Sequence, residues 1–256
     1  MIKTLWMISF FIIGTVLGSF YNVVGLRVPN GESIIRPNSK CPRCGHDLSW
    51  YELIPIISYI FLRGRCRNCK EHISIMYPMI ELFTGILFMI SYYSYGWSWD
   101  LVIALAISSL LILVIVSDLS YMIIPDSFTI IVAAIVIITN FIKNGLLQGF
   151  VYIGYGIIAF GILYLIMLLG NKVFKKESLG GGDIKLFFVV GLTFNPLMAI
   201  MVLAVACMIA LPISIVLYLK NREHVIPFGP FIVLAQLFVL FTKIDFNKII
   251  DFLRSI

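Results

Sequence analysis

Long apolar stretches alternate with short polar ones along this chain, and the apolar stretches set its architecture. A run must reach about 20 residues to cross roughly 30 Å of hydrocarbon as a helix. Candidates occur at approximately 5–26, 77–97, 100–117, 127–142, 146–170, 184–195, 197–219 and 228–242. The fourth, sixth and eighth are short, and only Asn195-Pro196 separates the sixth from the seventh. The first run has Lys3 as its sole early positive charge, lacks a small-residue cleavage site and continues through Gly18-Ser19-Phe20 into Arg27. It is therefore expected to be a retained transmembrane helix rather than a secretory signal.

Composition agrees with the pattern. The 256 residues are 61% hydrophobic and 12% charged, with a mean hydropathy of +1.02, whereas soluble domains carry about 25% charged residues. The expected fold is an all-α polytopic membrane protein of about eight transmembrane helices. The net charge of +6 does not point to nucleic acid, because Lys and Arg gather in a few short loops. Residues 27–75 hold Arg27, Arg36, Lys40, Arg43, Arg63, Arg65, Arg67 and Lys70; further basic residues are Lys172, Lys175 and Lys176, then Lys220 and Arg222. With eight spans these loops and 118–126 share one side, and the positive-inside rule makes that side cytoplasmic. Lys3, Lys143, Lys243, Lys248 and Arg254 then lie opposite, with both chain ends outside.

Residues 28–75 form the sizeable soluble part. At fewer than about 50 residues, this part cannot build a stable apolar core alone. It contains Cys41-Pro-Arg-Cys44-Gly45 and Cys66-Arg-Asn-Cys69-Lys70. Paired Cys-x-x-Cys knuckles are a strong tetrathiolate signal. Gly45 suits the left-handed conformation that such a knuckle needs. Four thiolates suit a structural, tetrahedral Zn²⁺ that folds a loop too small to fold by itself. Two disulfides are the alternative, disfavoured by a cytoplasmic position, and iron also suits four thiolates. His46 and His72 are expected to be solvated, and Cys207, alone in the seventh span, to be a packing residue. A zinc-ribbon-like cytoplasmic domain at 28–75 would thus separate a first transmembrane helix at 1–27 from a transmembrane domain at 76–256.

Carboxylates carry the remaining chemistry. Asp118 follows the run 101–116, and Asp183 follows Gly180-Gly181-Gly182. A carboxylate at a hydrocarbon boundary is costly and marks function by default. Pro125, just before Asp126, and the triple glycine each predict a break in helical structure. Glycines also let an extended peptide approach a carboxylate closely. Two such carboxylates facing water could share a proton and activate a water molecule. The competing expectation is that Asp183 and Asp126 cap the helices that follow them. Glu177 and Glu223, among basic residues, are expected to be solvated.

Taken in order, these motifs resemble the type IV prepilin leader peptidases, membrane aspartyl proteases with a Gly-x-Gly-Asp motif. The resemblance covers nearly the whole chain. Gly18-Ser19-Phe20, Asn22-Val23-Val24 and Arg27 match the opening of that family. Pro37, Ser39, both Cys knuckles, Trp50-Tyr51, Ile54-Pro55, Ser58-Tyr59, Tyr77-Pro78 and Glu81 match its cytoplasmic domain. Asp118 with Ile124-Pro125-Asp126, and Gly180-x-Gly182-Asp183-x-Lys185, match its catalytic motifs, and Pro227-Phe228-Gly229-Pro230 matches its last cytoplasmic loop. The resemblance implies removal of a short basic leader from prepilins or pseudopilins at the cytoplasmic face of a bacterial plasma membrane. Asp118 and Asp183 would be catalytic; Gly180, Gly182, Lys185 and Pro125 would bind substrate; Cys41, Cys44, Cys66 and Cys69 would hold Zn²⁺. Many members also N-methylate the new terminus with S-adenosylmethionine, using the domain at 28–75. Two positions depart from the pattern: Met76 stands where Arg is common, and Leu179 where Met is frequent. Competing functions are a peptidase without methyl transfer, a non-enzymatic zinc-ribbon scaffold in the membrane, and an ion-coupled transporter. A transporter would place its ionisable groups near mid-membrane.

Overall fold

The computed structural model describes residues 1–175, 179–219 and 227–244. Lys176, Glu177, Lys220, Arg222, Glu223, Lys248 and Arg254 lie outside the described residues. Among those described, the chain is helical without strands: α1 Ile2–Arg27, α2 Ile57–Phe61, α3 Met76–Tyr95, α4 Trp99–Tyr121, α5 Asp126–Phe174, α6 Gly181–Thr193, α7 Pro196–Leu219 and α8 Gly229–Thr242. Two compact units divide it, Met1–Leu101 and Val102–Ile256.

Each predicted apolar run lies on a helix. Among the described residues four stretches are long and apolar enough to cross a membrane: Ile2–Asn30, Trp99–Tyr121, Asp126–Val173 and Pro196–Val216. Gly229–Thr242 is a shorter apolar helix. A count of eight spans goes beyond what length and composition establish. The 49-residue α5 is, however, interrupted at Gly145, whose φ of 81° and ψ of 171° are not helical. Phe141 and Phe150 on either side of it meet edge to face, with ring centroids 5.2 Å apart. Nine residues of continuous helix would separate them by about 14 Å along the axis. The chain therefore turns sharply at Gly145, where the sequence separates the runs 127–142 and 146–170.

In the first unit, α1 packs on α3 through small residues. A Cβ added at Gly14 would lie 2.8 Å from the Gly85 Cα, and one at Gly18 would lie 2.9 Å from the Glu81 Cα. In lipid, helices attract one another through close backbone approach rather than apolar burial, which is why a Gly-x-x-x-Gly spacing serves here. Asn22 adds a hydrogen bond to the Tyr77 carbonyl at 3.3 Å.

In the second unit, α4 contributes much of the core: Ile107, Leu110, Leu111, Ile112, Val114 and Val116 are fully buried. The α5–α6 contact is equally close, since a Cβ at Gly191 would fall 2.5 Å from the Tyr155 carbonyl oxygen. Buried amides tie the elements together. Asn140 donates to the Leu192 carbonyl at 2.8 Å, and Gln236 to Thr193 Oγ1 at 3.0 Å. Cys207 is exposed on α7. Among the described residues it is therefore not part of the buried core in which a packing cysteine is expected.

Candidate active site and tetracysteine cluster

Asp118 lies in the last turn of α4, which runs on to Tyr121 before the chain reverses at Met122, with φ of 54°. Asp183 lies in the first turn of α6, whose N-cap is Gly180. The break expected across Gly180–Asp183 is thus shorter than the sequence suggests, because Gly181 and Gly182 are already helical. Asp183 does not cap α6, and Asp126 is the first residue of α5 behind its N-cap, Pro125.

The three aspartates differ sharply in surroundings. Asp126 is 59% exposed and accepts from Lys185 Nζ at 2.6 Å. Asp118 and Asp183 are 6% and 7% exposed. Among the described residues neither forms an ion pair with Lys, Arg or His. Both border one packed group formed by Gly180, Gly182, Ile124 and Gly229. Small residues make this proximity possible. A Cβ at Gly229 would sit 3.2 Å from Asp118 Oδ2 and 2.6 Å from Ile124 Cδ1, and one at Gly182 would sit 3.1 Å from Ile124 Cβ. Ile124 therefore fills the space between the two glycines beside the aspartates. Ile124 and Gly229 stand in the sequence only within motifs; nothing in their spacing reveals that Gly229 borders Asp118 and Ile124 packs against Gly182 and Gly229. Gly180 borders Asp183, with its added Cβ 3.4 Å from Oδ2.

The four predicted cysteines come together in the first unit. Their sulfurs all lie within 4.8 Å of one another, with Cys41–Cys69 and Cys44–Cys66 each at 3.9 Å. A tetrahedron with 2.3 Å Zn–S bonds has sulfur–sulfur edges of about 3.8 Å, so the cluster fits Zn²⁺. The knuckles are near copies. Gly45 N–H donates to the Cys41 carbonyl, as Lys70 N–H does to that of Cys66; Cys41 and Cys66 N–H donate to the carbonyls of His46 and Glu71. Gly45 and Lys70 both adopt positive φ, 70° and 60°. The left-handed residue predicted at Gly45 is present, and its lysine counterpart carried no sequence signal. Backbone amides of Cys44 and Arg43 point at the Cys41 sulfur and bring that thiol down to about 6, and the His46 amide lowers Cys44. These amides favour the thiolate, the ligand form, at Cys41 and Cys44, whereas Cys69, despite the Glu71 amide, is pushed up to about 11 by burial and the three neighbouring thiols.

His72 is exposed, as expected, but His46 is not simply solvated: its Nε2 lies 3.3 Å from Glu52 Oε2.

Comparison with known proteins places the chain. Residues 12–95 match the bacterial Peptidase A24 N-terminal domain, and residues 105–215 match the type IV leader peptidase family. Proteins named prepilin leader peptidase/N-methyltransferase are similar to it. That of Bacillus subtilis is 40% identical over 71% of this chain and 71% of its own length. That of Neisseria gonorrhoeae is 30% identical over 91% of this chain and 89% of its own length. The Myxococcus xanthus protein is 39% identical over 78% of this chain, and the match spans 60% of that relative's length. No solved structure matches. The chain belongs to the type IV leader peptidase family.

Proposed function

We propose that this chain is a multi-pass membrane aspartic endopeptidase that removes the leader from type IV prepilins or pseudopilins. The observation that carries the proposal is the contrast among the aspartates. Two are buried, border the same group of small residues around Ile124 and, among the described residues, form no ion pair, while the third is exposed and paired with Lys185. Like charges held together in a low-dielectric site favour a shared proton. In the proposed reaction one carboxylate takes a proton from water as the oxygen attacks the scissile carbonyl. The protonated partner donates a hydrogen bond to the carbonyl oxygen. The tetrahedral species then collapses as the peptide nitrogen leaves with a proton from the pair. The roles belong to the pair rather than to either residue. Gly180, Gly182 and Pro125 would line the path of an extended substrate, with Lys185 beside it. Positive-inside asymmetry supports a site near the cytoplasmic face of a bacterial membrane.

The names of the relatives support a second activity, N-methylation of the newly exposed terminus. S-adenosylmethionine, when bound, supplies an activated methyl group; residues 28–75, with Zn²⁺ on the four cysteines as a structural brace, would hold the amine beside it. The purified protein should be incubated with a prepilin peptide, with and without S-adenosylmethionine, and the products weighed by mass spectrometry. Cleavage at the leader junction is expected in both cases, with one added methyl only when the donor is present. Absence of cleavage would overturn the peptidase reading; cleavage without a methyl increment would overturn the second activity alone.

A further inference from the structure

A cavity of about 270 Å³ opens in the first unit between the tetracysteine loop, α1 and the start of α3, and its walls include Ser19, Asn22, Glu52, Tyr59, Tyr77 and Glu81. Two of these are carboxylates buried to 9% and 8% exposure. Glu52 is fixed from one side only. Its Oε2 accepts from the Ser49 backbone at 2.9 Å in a capping box and lies 3.3 Å from His46 Nε2. Its Oε1 is buried without a hydrogen-bond partner among the described residues, and the side chain is 2% exposed. A buried carboxylate oxygen left unsatisfied is costly unless a ligand completes it. Glu81 is also held in place: its Oε2 accepts the Ile56 N–H at 2.7 Å.

The backbone at that contact is strained. Ile56 has φ of 62° and ψ of −49°, and Ile57 N–H donates to the Pro55 carbonyl, which closes a γ-turn of the rare positive-φ kind. Such strain persists where surrounding structure holds it, commonly at ligand sites. Two cations also reach the cavity wall, but each is engaged elsewhere. Lys40 pairs with Asp47 at 3.5 Å, and Arg27 donates to the Ser33 carbonyl at 3.1 Å. Burial works to raise the Glu52 carboxyl, but the Ser49 amide, His46 and the charge of Arg67 outweigh it and hold it below the ordinary carboxylate range.

We propose that this cavity is a cation-binding pocket in which Glu52 Oε1, supported by Glu81, receives a positively charged group. The proposal rests on the methyl-transfer reading, whose two reactants each carry such a charge: the sulfonium of the methyl donor and the α-ammonium of a processed peptide. Glu52 recognises the charge, and Ser49 and His46 act as positioning residues for it.

Equilibrium binding to the purified full chain separates the sources. One arm compares S-adenosylmethionine with S-adenosylhomocysteine, its neutral thioether. The other compares a mature pilin peptide bearing a free N-terminus with its acetylated form. The wild-type protein should prefer the cationic member of at least one pair by about tenfold or more. Glu52→Gln keeps the capping box and should erase that preference while leaving the neutral ligand's affinity unchanged. Retained zinc serves as the check on folding. Equal affinity within both pairs for the wild-type protein would overturn the proposal without any variant, as would an undiminished preference in zinc-loaded Glu52→Gln. Methyl transfer from S-adenosylmethionine to a pre-cleaved pilin peptide, measured on the same wild-type preparation, shows separately whether the methyl-transfer reading stands.

Discussion

The tetracysteine loop and the second helical unit hold their reactive groups by opposite means. In the loop the most deeply buried side chains include Cys66 and Cys41, while Trp50, Ile57, Ile60 and Phe61 are exposed. The loop is organised around sulfurs instead of an apolar core. In the second unit Leu110, Leu111, Ile112 and Val114 are completely buried just ahead of Asp118, and Val189 and Val190 just beyond Asp183. There the carboxylates are appended to a scaffold that packs without them. The loop's structure and its ligand chemistry are therefore one property, whereas the charge of the aspartates is separable from the packing that presents them.

Removing zinc tests the first half of this comparison and carries the largest expected effect. Structural zinc contributes on the order of 10 kcal/mol to small domains at neutral pH. Chelation, or Cys44→Ser, should lower bound metal from about one ion per chain and open residues 28–75 to proteolysis. Hydrogen exchange in α4 and α6 should stay slow. Protection of the loop that survives complete metal loss would show that apolar contacts hold it after all.

The converse test acts on the second unit. Asp118→Asn or Asp183→Asn keeps side-chain volume and removes the charge. General acid–base groups are typically worth about 10²–10⁴ in rate, so leader cleavage should fall by at least that range. Thermal stability should hold or rise, because a buried group that is costly to ionise has been replaced by a neutral amide of similar volume. If either variant cleaves at near the wild-type rate, the aspartyl mechanism is wrong for this chain. Given a pre-cleaved pilin peptide and S-adenosylmethionine, both variants should still methylate it, since neither aspartate is needed for that step.

Close helix packing is the next sensitivity. Gly191→Ala would force a methyl to 2.5 Å from the Tyr155 carbonyl and 2.7 Å from the Gly156 Cα, both backbone atoms. Overpacking of this kind costs about 1–3 kcal/mol. Gly161, also helical, has open space around it, so Gly161→Ala should stabilise by up to about 1 kcal/mol. Thermal unfolding in detergent should rank Gly161→Ala above the wild-type protein and Gly191→Ala below it. Equal behaviour of the two would mean that α5 and α6 do not approach so closely.

Much of this was legible in the chain. Hydropathy placed the long apolar helices to within a few residues, because a bilayer demands uninterrupted apolar runs; the short α2, Ile57–Phe61, carried no such signal. The Cys-x-x-Cys pairs announced their cluster because ligand spacing is local. Asp118 and Asp183 stood out because charge at the end of an apolar run is rare. Relations across space were not legible. Spacing does not reveal that Gly229 borders Asp118, that Lys185 reaches Asp126, or that Glu52 lines a cavity while one of its oxygens stays buried and unsatisfied among the described residues. Lys70 also hid its left-handed backbone, since nothing about lysine signals it. Asp183 looked like a helix cap because short polar residues before apolar runs usually are; three glycines moved the helix start upstream and left it inside the first turn.

The smallest expected effect concerns the third aspartate, and it sharpens the contrast inside the second unit. Lys185 and Asp126 are 48% and 59% exposed, and exposed pairs contribute about 0–1 kcal/mol. Asp126→Asn should therefore shift the unfolding temperature by only a few degrees and retain substantial cleavage. Lys185→Met removes the same ion pair, so its effect on stability should match. The kinetics need not match. If Lys185 contacts substrate, its loss should raise KM several-fold with kcat little changed, an effect that Asp126→Asn does not share. Identical small losses in both variants would restrict Lys185 to pairing with Asp126. Complete loss of cleavage in Asp126→Asn would bring Asp126 into the catalytic group and end the distinction between buried, reactive aspartates and an exposed, structural one.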